Sequence, residues 1–329
     1  MTILVTGGAG YIGSHCVLSL LERKETVAIL DDLSTGFRDS VPEGAKLILG
    51  DAGDKRLVES VIGNEGVKSI FHLAASTVVP ESVQKPLFYY KNNTANSRTL
   101  IEAAAEGGVS ELIFSSTAAV YGQTGQEPVE ETHPLAPVSP YGMSKLMTER
   151  MLIDEGSAGG PRYVILRYFN VAGADPSGRA GQSTARAAYL IKVACEAVFS
   201  RARVVRVFGT DYPTRDGTGI RDYVHVSDLA AAHIAALDYL RGGGEPDIFN
   251  CGYAHGSSVL EVIRAVEEVA GVKLNVRFEN RRAGDMPSLV ASNGKILEKL
   301  SWRPQFDDLK TIVSHALAWE LRQVLACAA

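Results

Sequence analysis

The segment TGGAGYIG, from Thr6 to Gly13, limits the fold more than any other stretch of the chain. It follows the apolar run TILVT and opens the run YIGSHCVLSLLERK, which carries Ile12, Cys16, Leu20 and Leu21 on one side of a helix. Glycines at these places between a strand and a helix suit a backbone that must approach a pyrophosphate. Gly7 permits the tight turn, Gly10 lets the main chain come close to phosphate, and Gly13 lets helix and strand pack together. The helix N-terminus adds free N–H groups and a partial positive charge. An acid, Asp31 in ILDD, closes the next strand. A carboxylate there accepts bonds from the adenosine ribose hydroxyls and repels a 2'-phosphate, which predicts NAD over NADP. Asp32 is a second candidate contact, and its ordinary reading is a loop cap.

The rest of the first half agrees with that motif. TILVTG, TVAILDD, AKLILGD, VKSIFHLAA, SELIFSSTAAVYG and RYVILRYFNVAG read as strands, and RLVESVIGN and NSRTLIEAAAEGG as helices between them. Continuous apolar strands separated by helices predict an α/β fold, a doubly wound parallel Rossmann sheet covered on both faces. The pattern changes near residue 172. GADPSGRAGQSTAR reads as an ordered loop or substrate lid, and a helix is expected over 185–199. Another helix should start at Ser227 or Asp228, SSVLEVIRAVEEVAG is amphipathic, and a last helix should lie near 308–325. The expected division is an NAD-binding domain over 1–172, with a return segment near 220–240. A smaller mixed α/β domain, mainly within 173–329, follows it, with a ligand cleft between the two.

Composition excludes several classes of function. The chain has 329 residues, 46% apolar and 22% charged, with a net charge of -5. A broad nucleic-acid surface is not expected at that charge, and no apolar run reaches the roughly 20 residues of a membrane helix. The N-terminus enters a strand at once with no secretory pattern, so a cytoplasmic protein is expected. Cys16, Cys195, Cys251 and Cys327 are scattered without metal spacing and read as free thiols. His72, at the end of a strand, reads as structural, and no metal site is expected.

Chemistry enters with SPYGMSK, residues 139–145. Tyr141 and Lys145 stand four apart on one helical face, and Pro140 suits the first turn. A phenol ionises near pH 10, so service as a base near neutrality needs a fall of roughly 3 units, about 4 kcal/mol. One cation about 5 Å away, at an effective dielectric of about 20, contributes roughly 3 kcal/mol. Lys145 and an oxidised nicotinamide ring are therefore expected to suffice together.

The glycine loop, FSSTAAVYG and SPYGMSK resemble the extended short-chain dehydrogenase/reductase family. ESVQKPLFYYKNN, LRYFNVAGADPSG, FGTDYPTRDGTGIRDYVHVSDLA and RRAGDMPS narrow the resemblance to its UDP-glucose 4-epimerase branch, from Thr2 to about Trp302. It implies a catalytic set of Thr117, Tyr141 and Lys145. Tyr141 would take the proton of the sugar 4-hydroxyl while NAD takes the C4 hydride, and the 4-keto sugar would turn over before both return. Thr117 would donate or relay a hydrogen bond at the reacting hydroxyl.

The resemblance also implies NAD contacts at Gly7, Gly10, Tyr11, Ile12 and Gly13, at Asp31, Asp32, Leu33, Ser34, Thr35 and Gly36, and at Asp51 and Ala52. Leu73, Ala74, Ala75, Thr77, Asn92 and Phe169, with the catalytic three, would complete that set. Thr77 stands where the better-known bacterial enzyme has lysine. The UDP-sugar would meet Thr117, Tyr141, Tyr168, Asn170, Tyr189, Leu190, Arg206, Phe208, Arg221, Tyr223, Arg282, Asp285 and Leu289. Tyr189 falls where that enzyme has asparagine, and Leu289 where tyrosine often excludes N-acetylated sugars.

The expected substrates are UDP-glucose and UDP-galactose. UDP-xylose/UDP-arabinose or UDP-N-acetylglucosamine epimerisation, a nucleotide-sugar dehydratase or decarboxylase, and a silent NAD-binding scaffold are the alternatives. Ala118 and Ala119 stand where related dehydratases carry Asp-Glu, and both Tyr141 and Lys145 are kept. The resemblance further implies a homodimer through helices around 92–106 and 142–155, the second presenting Leu146, Met147, Met151 and Leu152.

Overall fold

The computed structural model describes residues 1–125, 128–184, 189–282 and 285–328. Six strands follow one another in the first half: β1 (Thr2–Thr6), β2 (Thr26–Asp31), β3 (Lys46–Leu49), β4 (Val67–His72), β5 (Glu111–Thr117) and β6 (Arg162–Tyr168). Four short strands come next: β7 (Asn170–Ala172), β8 (Val204–Phe208), β9 (Ile220–Arg221) and β10 (Tyr223–His225). Then β11 (Asp247–Cys251) returns to the main sheet beside β6. The seven strands run in the order β11-β6-β5-β4-β1-β2-β3, and every pair is parallel.

Alternation of side chains explains why the sheet is covered twice. Ile3 and Val5 enter one core with Ile29, Phe71 and Ile113. Leu4, between them, enters the opposite core with Leu30, Ile70, Leu112 and Phe114. Successive residues of a strand point to opposite faces, so both faces must be apolar and both must be buried. Each such side chain contributes roughly 1.5–3 kcal/mol by leaving water. The strand order reverses between β1 and β4, and in open α/β sheets the crevice at that switch point binds ligands.

Strand β11 lies outside the expected return segment at 220–240. Its residues Asp247 and Ile248 are half-buried, so it lacks the continuous apolar signature of the central strands. The expected helix at 185–199 is observed as Leu190–Phe199, residues 185–188 lying outside the described residues. The helix expected from Ser227 or Asp228 spans Val226–Arg241, because the His225 ring accepts the Ser227 N–H (3.0 Å) and caps it one or two residues earlier. The loop from Gly173 is ordered by Asp175 and Arg179, paired at 2.6 Å, and Arg179 also reaches Glu22 at 2.6 Å. The smaller region adds β12 (Ser257–Ser258), β13 (Asn275–Glu279) and β14 (Ser288–Leu289), β13 beside β8 and β12 and β14 on either side of β9. The amphipathic segment forms the helix Val259–Ala270, closed by a capping box between Ser258 and Glu261. The last helix is Leu309–Ala328.

His72 is structural, as expected: Thr6 Oγ1 lies 2.7 Å from its Nδ1 and Ser97 Oγ 2.7 Å from its Nε2. Burial pushes His15 and His233 down to about 4, and His72 and His225 down to about 3. These lowered values favour the neutral ring in the fold. The stability they contribute is full above the ordinary value of 6.5 and is lost as pH falls toward 4. Each histidine costs up to about 1.4 kcal/mol per pH unit in that window. Denaturant midpoints should therefore fall steeply between about pH 7 and about pH 5, and a flat profile would contradict the four buried neutral rings.

Candidate active site

The glycine loop behaves as its spacing predicts. Gly7 has φ of +73°, and a Cβ there would lie 2.7 Å from the Ala74 nitrogen. A Cβ on Gly13 would come within 2.1 Å of the Gly7 carbonyl oxygen. Gly10 has only that same oxygen nearby, at 3.2 Å from its virtual Cβ, so its outer side is open. It is also the N-cap of the helix Tyr11–Glu22 and offers no side chain to the first N–H groups. Those donors and that opening form a cradle that suits a pyrophosphate. Ile12 is half-buried against the sheet. The Tyr11 hydroxyl donates to the Gly173 carbonyl (2.7 Å), joining the loop to the segment that leaves β7.

Asp31 has a second task that spacing alone does not reveal. Its two carboxylate oxygens accept the N–H groups of Ala9 and Leu33, each at 2.9 Å, clamping the glycine loop to the end of β2. Each oxygen keeps a second lone pair for a ribose hydroxyl. Burial raises its pKa and the two N–H bonds oppose that rise. Asp32 does act as a loop cap, accepting the Ser34 N–H (2.9 Å) and hydroxyl (2.6 Å). Ser34 and Thr35 are exposed, and Gly36 is buried against Ala9, whose carbonyl carbon a Cβ would meet at 2.9 Å. Asp51 accepts from Gly53 N and Asn96 Nδ2, with Ala52 buried next to it. Leu73, Ala74 and Ala75 follow β4 on the other side of the switch point. Asn92 donates to Ser76 Oγ at 2.9 Å from a π-helical turn, Tyr90–Ala95.

Thr117 ends β5, and Tyr141 and Lys145 lie in the helix Pro140–Ser157, capped by Ser139 with Pro140 in its first turn. All three are buried. Burial pushes the Tyr141 phenol well above its ordinary value, the nearby Tyr189 phenol adds to the rise, and a hydrogen bond with Thr117 opposes it. Lys145 is pushed down to about 7 by burial, against the attraction of Glu149. Its ammonium donates to the Ser115 carbonyl (2.8 Å) and lies 4.9 Å from the centre of the Phe114 ring. Burial therefore favours the neutral phenol and draws Lys145 down, and the lowering expected of Tyr141 rests on Lys145 together with an oxidised nicotinamide ring. Desolvation is the largest influence on each because both groups sit in the core.

The predicted sugar-nucleotide residues are brought together in pairs. Asn170 on β7 stands opposite Tyr223 on β10, and Arg221 on β9 opposite Leu289 on β14. The Arg282 guanidinium lies 3.7 Å from the centre of the Phe208 ring. Arg206, two residues before Phe208 on β8, shares its face and is exposed. Leu289, Phe169 and Ala118 belong to one apolar cluster, which forms a floor beside Thr117. Tyr168 is buried, with its hydroxyl against Ser115 Oγ. The Tyr189 hydroxyl lies 3.0 Å from Thr77 Oγ1, and Leu190 is half-buried after it. Asp285 is exposed; residues 283–284 of RRAGDMPS lie outside the described residues.

Two features escaped the sequence reading. Asn93 braces the site, accepting Ser76 N (2.8 Å) and donating to Ser144 Oγ (3.0 Å) on the helix of Tyr141. Glu149 and Arg167 form a buried ion pair at 2.6 Å below Lys145. The first was signalled only by two consecutive asparagines in YKNNT, and the second by Glu149 standing four residues after Lys145 on the same helical face.

Comparison with known proteins agrees with this geometry. The NAD dependent epimerase/dehydratase family matches residues 3–252. A UDP-glucose 4-epimerase of Azospirillum brasilense is 54% identical over 318 residues, 97% of this chain and 91% of that one. The UDP-glucose 4-epimerase of Brucella ovis in complex with NAD superposes with a TM-score of 0.93 at 38% identity, covering 96% of this chain and 97% of that one. The UDP-glucose 4-epimerase of Bifidobacterium longum, in complex with NAD+ and UDP, gives 0.93 at 34% identity over 98% and 99%. With its switch-point crevice, glycine cradle and buried Thr117, Tyr141 and Lys145, the chain belongs to the NAD dependent epimerase/dehydratase family.

Proposed function

We propose that the protein interconverts UDP-glucose and UDP-galactose, inverting C4 through a 4-keto intermediate on NAD that stays bound. The observation that carries this is the buried set of Thr117 at the end of β5 and Tyr141 and Lys145 on the helix Pro140–Ser157, beside a crevice whose glycine cradle suits a dinucleotide. When bound, NAD supplies the acceptor for the C4 hydride and returns it to the opposite face. Thr117 orients the sugar 4-hydroxyl, and Tyr141 takes its proton and later gives it back. Lys145, near its midpoint at neutral pH, supplies positive charge as the phenol loses its proton. The added pull of an oxidised nicotinamide is what brings a buried phenol into range. Arg221, Arg282 and Arg206 suit the diphosphate and Phe208 the uracil.

Residues 1–172, with the return through β11, hold NAD in this reading, and the remainder of 173–329 mainly holds the UDP-sugar. Ala118, buried in an apolar cluster, leaves no acid beside Thr117 for elimination of water, so the dehydratase reading is not favoured. We place the protein in the cytoplasm as a homodimer. Buried free thiols at Cys16, Cys195 and Cys251 suit a reducing compartment. Among the described residues no helix is long and apolar enough to cross a membrane. The exposed apolar Val83, Leu87, Phe88 and Met147 support the dimer. Leu152 does not, since it is fully buried in this chain's own core.

Purified protein given UDP-galactose and no added cofactor should form UDP-glucose, and NAD should be released on denaturation. Absence of both would reject the reading. Leu289, buried beside Phe169, sets the sugar range. UDP-N-acetylglucosamine should turn over at least about 10-fold less efficiently than UDP-glucose, and Leu289→Ser should narrow the gap. Equal kcat/KM for the two sugars in the unaltered protein would remove Leu289 from this role.

A further inference from the structure

We propose that the hydrogen bond between Thr77 and Tyr189 is a latch across the mouth of the cleft, with Tyr189 a positioning residue that keeps the 4-keto sugar against Tyr141 between the two hydride transfers. The inference rests on the epimerase reading and deepens it. Thr77 follows β4 on the NAD side, and Tyr189 is the N-cap of the helix Leu190–Phe199 on the sugar side. The two hydroxyls are 3.0 Å apart although the residues are 112 apart in sequence. The bond is at the surface: Thr77 is exposed and Tyr189 retains 36% of its accessibility. The Tyr189 phenol raises those of Tyr141, Tyr11, Tyr89 and Tyr168, so it lies on the same side of the fold as the Tyr141 site. Tyr11 is in the glycine loop, and Tyr89 packs edge-on to Tyr141 with ring centres 6.5 Å apart.

This arrangement meets two opposed demands. A ketone formed at C4 has lost both its hydride and its hydroxyl proton, so its escape at that moment strands both on the enzyme. A closed mouth prevents this and excludes water. The mouth must also open once per turnover, and a single exposed bond between neutral hydroxyls is weak enough to do so. A charged pair or an apolar seal there would open more slowly.

The test uses the holoenzyme with Tyr189→Phe, Thr77→Val, their combination, and Thr77→Ser, which keeps the hydroxyl. Escaped 4-keto nucleotide sugar is trapped in the filtrate with borodeuteride and counted as deuterium at C4 per turnover. Loss of NAD from the protein is followed separately by chromatography after dilution. Tyr189→Phe and Thr77→Val should each raise trapped deuterium about five-fold, the loss of one hydrogen bond. The double variant should match either single one, and Thr77→Ser should restore the low value. Faster NAD loss in Tyr189→Phe, at unchanged melting temperature, would support the latch over a general loosening; Thr77→Val is read by trapped deuterium alone, because Thr77 is itself an expected NAD contact. Unchanged deuterium in both single variants of an enzyme that epimerises overturns the latch alone. Failure of the unaltered protein to epimerise overturns the underlying reading and the latch with it.

Discussion

Tyr141→Phe should lower kcat for UDP-galactose by roughly three orders of magnitude while NAD stays bound. The substitution removes one oxygen and leaves the ring, its edge-on contact with Tyr89 and the capped helix in place. The ring is buried, so its packing holds the site open in the same shape. What is lost is the group proposed to accept the hydroxyl proton. The Lys145 ammonium donates to the Ser115 carbonyl. The measurement is turnover beside nucleotide content in the same preparation. Activity within about ten-fold of the unaltered protein would move the acid–base role elsewhere.

The second large effect is on stability. Glu149 and Arg167 are 1% and 2% exposed, and two guanidinium nitrogens reach the carboxylate at 2.6 and 3.0 Å. Ser116 Oγ also donates to Glu149, and Arg167 reaches the Tyr121 hydroxyl (3.1 Å) and the Glu131 carbonyl (3.3 Å). Glu149→Ala leaves the guanidinium buried without its counter-ion, at an expected cost of about 3–5 kcal/mol in denaturant unfolding. Replacing both, Glu149→Ala with Arg167→Met, should cost less than Glu149→Ala alone, because no charge is then stranded. If the double variant were the weaker, the pair would be a net source of stability rather than a matched desolvation. The same helix carries Tyr141 and Lys145, so Glu149→Ala should also reduce turnover in the folded fraction.

These predictions differ in how far the sequence foretold them. Tyr141 and Lys145 could be placed on one helical face by counting, because a helix repeats every 3.6 residues whatever surrounds it. The glycine positions could be assigned for the same kind of reason, since φ at Gly7 and the approach at Gly13 are local demands on the backbone. The central strands were legible because a strand buried on both faces must be apolar throughout. Strand β11 was not, because at the sheet edge its first residues need be only half-buried. Nor was the state of Tyr141 and Lys145, since a pKa depends on how much of the rest of the chain excludes water from the group.

The sequence by itself determined the parallel sheet, the dinucleotide cradle after β1 and the Tyr141–Lys145 face, all set by local backbone geometry and periodic burial. The tertiary structure alone decided what depends on residues far apart in the chain. It put Asp31 on the glycine loop, buried Arg167 with Glu149 and brought Tyr189 to Thr77. It also buried Lys145 deeply enough to bring its midpoint near neutrality. Such contacts and desolvations exist only once distant segments pack, so no local pattern of residues encodes them.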